Sequence, residues 1–184
     1  LLAGKHLVDD DMIRVLGKSA FAMNESTGVS YLGNSWTRTV AFAGYNVPYS
    51  ADIRAGDMMA TLQATYPQRR DRLMDVLEIN PDWRMHLVSD GQRRRVQIML
   101  GLLRPFKVLL LDEVTVDLDV LGRADLLAFL KAETEQRGAT IVYATHIFDG
   151  LDGWFTHLWH LSEGVTKSLR RYADVHRQWA SQEG

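Results

Sequence analysis

The amino-acid sequence predicts an α/β fold in which parallel strands are connected by helices. Two uncharged runs, residues 108–111 and 139–144, are rich in aliphatic or β-branched side chains, which is typical of strands covered on both faces. Residues 120–137 lie between them, have a helical pattern and are followed by Gly138, a residue type that commonly ends helices. A strand, a helical crossover and a second strand form a parallel pair, which indicates the α/β class.

Length and composition are those of one folded domain. The chain has 184 residues, of which 46% are hydrophobic and 24% charged, and its formal net charge is -2. This charge gives no overall attraction to nucleic acid or to anionic lipid. No apolar run approaches the roughly 20 residues of a membrane span. Cysteine is absent, which excludes disulfides and thiolate metal sites and fits a reducing compartment.

The other elements are predicted from periodicity and from the glycine and proline residues that interrupt it. In chain order they are the end of a helix at 1–3 before Gly4, a strand at 29–32, a loop at 35–50, helices at 51–65 and 68–79 separated by Pro67, a helix that opens at 89–91 and ends at Pro105, a hairpin of 157–161 and 165–169, and a surface helix from Arg170.

The strongest local signal is an acidic pair directly after the buried strand 108–111. The C-terminal end of a parallel strand faces the ligand crevice of an α/β fold. There Asp112 can hold Mg²⁺, directly or through water, and Glu113 can polarise an attacking water molecule. The alternative is a strand that simply continues into a solvated acidic turn.

Two weaker signals point to the same chemistry. Ser89 and Gly91 open a predicted helix, and a hydroxyl, an accessible backbone and a helix N-terminus together can bind an anion. The same residues are also common in turns and helix caps. His146 follows the strand 139–144, where an imidazole can hydrogen-bond a terminal phosphate oxygen, although a single histidine is more often structural.

The order and spacing of these segments resemble the ABC ATPase family. Residues 88–92 (VSDGQ) are similar to its signature LSGGQ, residues 109–113 to its Walker B strand, residues 116–119 to its D-loop, and His146 to its switch histidine. The resemblance covers nearly the whole chain. It implies a P-loop NTPase-like domain over residues 1–169 with a mainly parallel sheet and a helical subdomain at about 50–105, followed by a tail at 170–184.

Within the family, the chain is most similar to the soluble members of fungi and plants that lack membrane spans. The segments WRMH at 83–86, VTVDLD at 114–119 and THIFDG at 145–150 carry this similarity, and Val114 stands where transporter ATPases more often have proline. A fungal member is associated with the Not-type regulator of mRNA transcription and decay. The resemblance therefore implies a cytoplasmic or also nuclear protein with an mRNA-regulatory complex as partner.

What the family does implies a role for each matching residue. The cofactors would be ATP and Mg²⁺, bound between two domains in a head-to-tail dimer. Asp112 would hold the metal, and Glu113 and His146 would be catalytic on the nucleotide of their own subunit. Further residues would contact nucleotide or link the two sites: Ser89, Gly91, Gln92, Asn34 and Asp119. Neither a membrane span nor direct nucleic-acid binding is expected.

The sequence also departs from the family pattern. The phosphate-binding loop GxxxxGK[ST] is absent: residues 17–19 (GKS) have Met12 where the first glycine belongs, and residues 4–6 are GKH. We expect that the N-terminal part of the domain, with this loop, is missing and that the chain alone binds ATP poorly. Asn34 replaces the glutamine of the family's Q-loop. Asp90 replaces the first signature glycine, where a carboxylate repels phosphate unless it caps the helix.

Three functions remain open from the sequence. The first is a soluble regulatory ABC ATPase that acts on a protein or ribonucleoprotein partner. The second is the ATPase subunit of a transporter whose membrane part is a separate chain, and the third is an inactive interaction module. The basic run 93–95 is interpreted as structural or interfacial, since no aromatic residues are interleaved with it as in a nucleic-acid-binding patch.

Overall fold

The computed structural model describes residues 2–3, 9, 12–22, 28–33, 39–42, 45–48 and 52–175. The chain divides into two compact units, Leu1–His146 and Ile147–Gly184. The first unit carries the parallel sheet and the longer helices, and the second carries an antiparallel hairpin. Over the described residues, no helix has the length and apolar character that crossing a bilayer would require.

The strands and helices of the described residues are, in chain order, β1 (Arg14–Val15), β2 (Lys18–Ser19), β3 (Val29–Leu32), β4 (Thr39–Phe42), β5 (Tyr45–Pro48), α1 (Ala55–Gln63), α2 (Pro67–Val76), α3 (Asp90–Leu103), β6 (Val108–Asp112), α4 (Val120–Arg137), β7 (Thr140–Ala144), β8 (His157–Ser162) and β9 (Val165–Arg171).

The parallel sheet of the first unit has the order β3-β6-β7 in the part of the chain that the structure describes. Both pairs are parallel, with Val29 opposite Val108 and Val108 opposite Thr140. Helix α4 connects β6 to β7, which is the helical crossover that the sequence predicted. The α/β class and the parallel sheet are therefore confirmed.

Strand β6 lies in the middle of this sheet because its side chains are apolar on both faces. Leu109 is fully buried, and Leu110 and Leu111 are 5% and 4% exposed. The chain becomes polar only at Asp112, the exposed last residue of the strand. Since parallel strands end at the same sheet edge, this edge also receives the residues that follow β3 and β7.

Helix α3 packs unusually closely on the sheet. A Cβ added at Gly101 would lie 2.1 Å from Cδ2 of Leu32 in β3, so the contact depends on glycine. The buried residues of α3 include Val96, Met99 and Leu103. The helix that begins with the signature residues is thus fixed against the strand next to β6.

A buried ion pair connects α2 to α4. Nη1 of Arg69 lies 2.8 Å from both carboxylate oxygens of Glu133, and its Nε donates to the carbonyl of Leu102 at 2.8 Å. Arg137 donates to the same carboxylate at 2.7 Å. The Glu133 side chain is only 4% exposed, so these bonds replace its lost hydration.

The prediction of a loop over residues 35–50 is wrong in part. Strands β4 and β5 form an antiparallel hairpin there, with Thr39 opposite Pro48. Glycine and proline suggested irregular structure, but Gly44 lies between the strands and Pro48 at a strand end, where both residue types are tolerated. Two separate helices do occur around Pro67, as predicted, since α1 ends at Gln63 and α2 begins at Pro67. Pro67 is the first residue of α2, where its missing N–H leaves no bond unmade.

Residues 17–19 form part of a tight hairpin and do not follow a strand into a helix as a phosphate-binding loop does. Strands β1 and β2 are antiparallel, with Arg14 opposite Ser19. Leu16 and Gly17 have φ of 52° and 78°, the left-handed values of a two-residue hairpin turn.

The second unit contains the predicted hairpin. Strands β8 and β9 are antiparallel, with Trp159 opposite Leu169 and an irregularity between His160 and Leu161. Strand β9 continues to Arg171, so the predicted boundary between residues 169 and 170 lies inside a strand, and a short helix follows only at 172–175.

Candidate functional site

The acidic pair lies where β6 ends. The Glu113 N–H donates to the carbonyl of Ala144 at 3.0 Å, which ties the residue to the end of β7. Glu113 has φ of +52°, a left-handed value that is uncommon for a residue with a side chain. Such a conformation persists where the surrounding structure holds it, and it occurs often at functional sites.

The two residues that follow β7, Thr145 and His146, contact the Glu113 carboxylate. The His146 backbone N–H donates to Oε1 at 3.1 Å, and the ring nitrogen Nδ1 lies 2.7 Å from the same oxygen. The Thr145 hydroxyl is 3.5 Å from Oε2. The Glu113 side chain is 25% exposed and that of His146 is 73% exposed. The structure thus brings together two of the predicted site residues in a cluster that is open to solvent.

The contact also defines which ring nitrogen of His146 faces outward. The short contact fits the tautomer with its proton on Nδ1, because a carboxylate oxygen is an acceptor. The other nitrogen, Nε2, is then the one available to a ligand. Holding a histidine by one nitrogen while the other acts is a common arrangement in functional sites.

Asp112 has a partner that the sequence analysis missed. The Tyr31 hydroxyl, from β3, donates to Oδ2 of Asp112 at 3.2 Å. Burial raises the pKa of Tyr31, and the charge of Asp112 and the hydrogen bond to it raise it further. This hydrogen bond orients one of the two carboxylate oxygens of Asp112.

The chemistry of Asp112 fits a magnesium ion that is shared with phosphates. Mg²⁺ in phosphoryl-transfer sites is usually held by one or two carboxylates, water and the phosphate oxygens of the substrate. Within the described residues, no three His, Cys, Asp or Glu side chains are grouped to hold a metal alone.

The signature residues Ser89 and Gln92 cap helix α3. The Gln92 N–H donates to Oγ of Ser89 at 3.2 Å, and the Ser89 N–H donates to Oε1 of Gln92 at 2.9 Å. This reciprocal capping box satisfies two N–H groups at the helix start. A Cβ added at Gly91 would meet only the Asp117 carbonyl, at 3.7 Å, so the helix start is open on this side.

Asp90 does not cap the helix. Its side chain is 99% exposed and makes an ion pair with Nη1 of Arg93 at 2.5 Å. The negative charge that replaces the family's glycine therefore has a compensating positive charge one turn along. Because this exposed pair is weak, Arg93 compensates the charge of Asp90 only in part. A phosphate would therefore be attracted less strongly here than at a helix start without a carboxylate.

The basic run 93–95 makes internal contacts. Besides Asp90, Arg93 reaches the carbonyl of Val88 at 3.2 Å. Arg95 makes an ion pair with Oδ2 of Asp119 at 2.9 Å. Arg94 is 5% exposed and bonds to backbone carbonyls. These contacts favour the structural interpretation of the run.

Asp119 is bonded through both carboxylate oxygens inside the unit. Oδ1 accepts the Gly122 N–H at 2.8 Å and so caps α4, while Oδ2 meets Arg95. A cavity of about 390 Å³ opens beside it. Its walls combine signature and D-loop residues with three neighbours from the helical segment: Ser89, Gly91, Gln92, Asp117, Asp119, Glu78, Trp83 and Arg95.

The predicted site residues thus form two clusters. Glu113 and His146 are in direct contact, Asp112 directly precedes Glu113 in the chain, and none of the three is among the residues that line the cavity beside Ser89. Asn34 lies outside the described residues. Gly33, which precedes it, directly follows β3 at the same sheet edge. The sequence offered no signal for Tyr31, because an aromatic residue within a strand usually belongs to the core.

Several plant and fungal proteins are similar to this chain over most of its length. ABC transporter I family member 20 of Arabidopsis thaliana is 59% identical over 167 residues, which are 89% of this chain and 51% of that protein. Family member 21 of the same plant is 57% identical over 179 residues, covering 95% and 63%. CCR4-associated factor 16 of Saccharomyces cerevisiae is 43% identical over 192 residues, covering 95% and 64%. The predicted resemblance to ABC-type proteins is confirmed.

Solved structures show the same similarity at the level of the fold. The ATP binding subunit of an ABC transporter aligns with this chain at a TM-score of 0.67 and 19% identity, over 89% of this chain and 68% of that one. A dimeric ATP-binding cassette bound to ADP and Pi aligns at 0.62 and 16% identity, over 86% and 72%. The predicted ABC nucleotide-binding fold is confirmed.

No protein-family profile matches this chain. The chain spans about half of the first relative and less than two thirds of the other two. The activity, substrates and partners of the whole protein are therefore proposals.

Proposed function

We propose that this chain is the catalytic and signature part of an ATPase that hydrolyses ATP with Mg²⁺ at the interface of a head-to-tail dimer. The observation that carries the proposal is the hydrogen-bonded cluster of Glu113 and His146 at the C-terminal edge of a parallel sheet. An acidic residue and an imidazole at this edge meet the ligand crevice of an α/β fold. The resemblance to ABC-type ATP-binding domains supports the choice of ATP.

Glu113 is proposed to accept the proton of the attacking water. Its Oε1 is held by the backbone and the ring of His146, whereas among the described residues Oε2 has only the 3.5 Å contact to Thr145. The second oxygen is therefore free to receive a water molecule in a fixed orientation. A positioned base of this kind contributes roughly 10²–10⁴-fold to a rate.

His146 is proposed to meet the terminal phosphate through Nε2. Its Nδ1 is already engaged with Glu113, so the orientation of the ring is set before a ligand arrives. Asp112 is proposed to hold the metal through Oδ1 while Tyr31 orients Oδ2. When bound, Mg²⁺ neutralises charge on the phosphates as it develops.

Ser89, Gly91 and Gln92 are proposed to contact the nucleotide held by a second subunit. They line a cavity that contains none of Asp112, Glu113 and His146, so the two clusters would serve different nucleotides. The Ser89 oxygen accepts a bond from Gln92, but its own hydroxyl proton remains to be donated to a phosphate.

Asp119 is proposed to link the two halves of this arrangement. It caps α4 and holds Arg95 beside the signature, and it lies in the wall of the same cavity. Dimer closure would press against this wall and opening would release it. The product of hydrolysis would then be a conformational cycle that acts on a partner complex.

The phosphates also need a binding loop that these 184 residues do not contain. The motif GxxxxGK[ST] does not occur in the sequence, and such a loop supplies backbone N–H groups and a lysine to the phosphates. We expect the loop to be encoded outside this chain and the chain alone to be inactive. The name of CCR4-associated factor 16 supports an mRNA-regulatory complex in the cytoplasm or nucleus as the partner.

The test is ATP hydrolysis by the protein expressed from its complete reading frame. Glu113→Gln should retain ATP binding and lose at least about 100-fold in turnover, because the amide cannot accept the proton. Glu135→Gln, an exposed carboxylate on α4, is the matched control and should hydrolyse ATP normally. Unchanged turnover in Glu113→Gln would remove this residue from its role, and no hydrolysis by the complete protein would remove the proposal.

Two other functions keep specific support. The names of the plant relatives favour an ATPase subunit of a transporter, and co-purification with a membrane permease would establish it. The missing phosphate-loop motif favours an inactive interaction module. That reading would be correct if the sequence upstream of Leu1 also lacks the motif.

A further inference from the structure

We propose that Arg94 is a positioning residue that couples the signature helix to the segment carrying Glu113. This inference rests on the ATPase function proposed above and assigns a role to a residue outside both clusters. Arg94 lies on α3, five positions after Ser89, and is only 5% exposed.

The guanidinium of Arg94 bonds to two other parts of the chain. Nη1 donates to the carbonyl of Gly33 at 2.9 Å, and Nε donates to the carbonyl of Val114 at 3.3 Å. Nη1 also donates to Oε1 of Gln97, one turn along the same helix. A single side chain thus joins α3, the end of β3 and the segment after β6.

Both carbonyls belong to residues that are adjacent in the chain to proposed site residues. Gly33 directly precedes Asn34, the proposed Q-loop residue, and Val114 directly follows Glu113. Strands β3 and β6 are parallel neighbours, so these two carbonyls lie at the same sheet edge. The planar fork of an arginine can donate to separate acceptors in fixed directions, which the single ammonium of lysine does less well.

Stability alone does not explain a buried charge here. The nearest carboxylate, Asp117, is 3.9 Å from Nε and 52% exposed, so neutral carbonyls supply most of the compensation. Burial lowers the pKa of Arg94, and Asp117 raises it in part. Among the described residues, Nη2 has no hydrogen-bond partner. A well-packed apolar side chain often does as well for stability at such a place, so the contacts that Arg94 makes explain its presence better.

Arg94 and Gly101 together fix α3 on the sheet. Gly101 allows the middle of the helix to approach Leu32, and Arg94 holds the N-terminal turns through its hydrogen bond to the Gly33 carbonyl. A shift of the segment after Glu113 would therefore be passed to the start of α3, where Ser89 lies. In a head-to-tail dimer, this joins the site that hydrolyses one nucleotide to the surface that contacts the other.

The experiment compares Arg94→Lys and Arg94→Met with Arg69→Lys in the complete protein. Arg69 is a matched control, since it is also a buried arginine that donates to a backbone carbonyl, that of Leu102 at 2.8 Å. The measurements are thermal unfolding, kcat and KM for ATP, and hydrogen exchange of residues 113–119 without nucleotide. Gln97→Met, which removes only the bond within α3, is a milder variant should the Arg94 variants not fold.

We expect kcat to fall by about tenfold in both Arg94 variants with KM changed less than about twofold, since small misplacements of catalytic groups reduce rates strongly. Exchange over residues 113–119 should become faster. Gln97→Met should show the same split to a smaller extent, and Arg69→Lys should lower the unfolding temperature without changing kcat or this exchange.

Equal kcat values in the Arg94 and Arg69 variants, or unchanged exchange over residues 113–119, would overturn the inference. Failure of the proposed function looks different, because Glu113→Gln would then leave turnover unchanged as well. A normal loss of turnover in Glu113→Gln together with a wild-type kcat in the Arg94 and Gln97 variants would contradict the coupling alone.

Discussion

His146 contacts one oxygen of Glu113 with two different atoms, its backbone N–H at 3.1 Å and its ring Nδ1 at 2.7 Å. The two residues are 33 positions apart, and adjacent parallel strands bring them together. The backbone bond is independent of the side chain at 146. The contribution of the imidazole can therefore be separated from that of the fold.

Replacing the ring should impair hydrolysis and leave the fold intact. In His146→Ala the backbone N–H still holds Oε1, but the bond to Nδ1 and the group facing the phosphate are lost. We expect turnover to fall by about 100-fold, the usual order for removal of one stabilising donor. The unfolding temperature should change little, because the side chain is 73% exposed. Steady-state hydrolysis of His146→Ala, with His160→Ala as control, checks this, and equal rates would refute it.

A large side chain at the start of α3 should prevent dimer closure. Ser89→Arg places a bulky group in the wall of the cavity and also removes the cap, which costs about 1 kcal/mol. Ser89→Thr keeps both the hydroxyl and the cap and is the control. Light scattering in the Glu113→Gln background should detect ATP-dependent dimers for Ser89→Thr only. Dimers of Ser89→Arg would mean that the signature is wrongly assigned.

The stability of the protein should depend on Tyr31 at high pH. Burial and Asp112 raise the pKa of Tyr31 above its ordinary value of 10.0, so the folded state binds this proton more tightly than the unfolded state. The stabilisation is fully present below about pH 10 and is lost as the pH rises through the folded-state pKa. Tyr31→Phe has no such proton. Its free energy of unfolding should fall less steeply above pH 10, and parallel curves would contradict the assignment.

Removing one partner of the buried ion pair should cost more than replacing both. Glu133→Ala leaves Arg69, which is 11% exposed, without its carboxylate, and breaking a buried pair in this way costs about 3–5 kcal/mol. The double variant Arg69→Met/Glu133→Leu leaves no unpaired charge and should be clearly more stable than Glu133→Ala. Urea unfolding of both measures the difference, and equal stability would show that the charges are solvated after all.

The elements that the sequence predicted best are those marked by several independent signals. Helix α4 was predicted at about 120–137 from its helical pattern and from Gly138, which ends it in a left-handed conformation with φ of 65°. Strands β6 and β7 were marked by continuous apolar runs. The hairpin of β4 and β5 was missed because each strand has four residues, too few for alternation to outweigh a nearby glycine and proline.

The site was predictable as far as it depends on strand ends. Glu113 and His146 each follow a buried parallel strand, and this topology alone places them at one edge. The bonds of Tyr31 and Arg94 were not predictable in the same way. They depend on the depth at which a strand or helix packs, and Arg94 stands in a charged run that by itself suggests a solvated surface.

Glu113 holds its carboxylate on a backbone that favours another residue. At a φ of +52°, a residue with a Cβ is disfavoured by about 1–2 kcal/mol, whereas glycine is not. Both Glu113→Gly and Glu113→Ala lack the carboxylate, so the difference in their unfolding free energies isolates the backbone term, and we expect glycine to be more stable by about 1 kcal/mol. Folding stability thus favours glycine at position 113, whereas the proposed catalysis requires the carboxylate of glutamate. In a relative that does not hydrolyse ATP, glycine would be favoured there, so the residue at this position should indicate whether hydrolysis is retained.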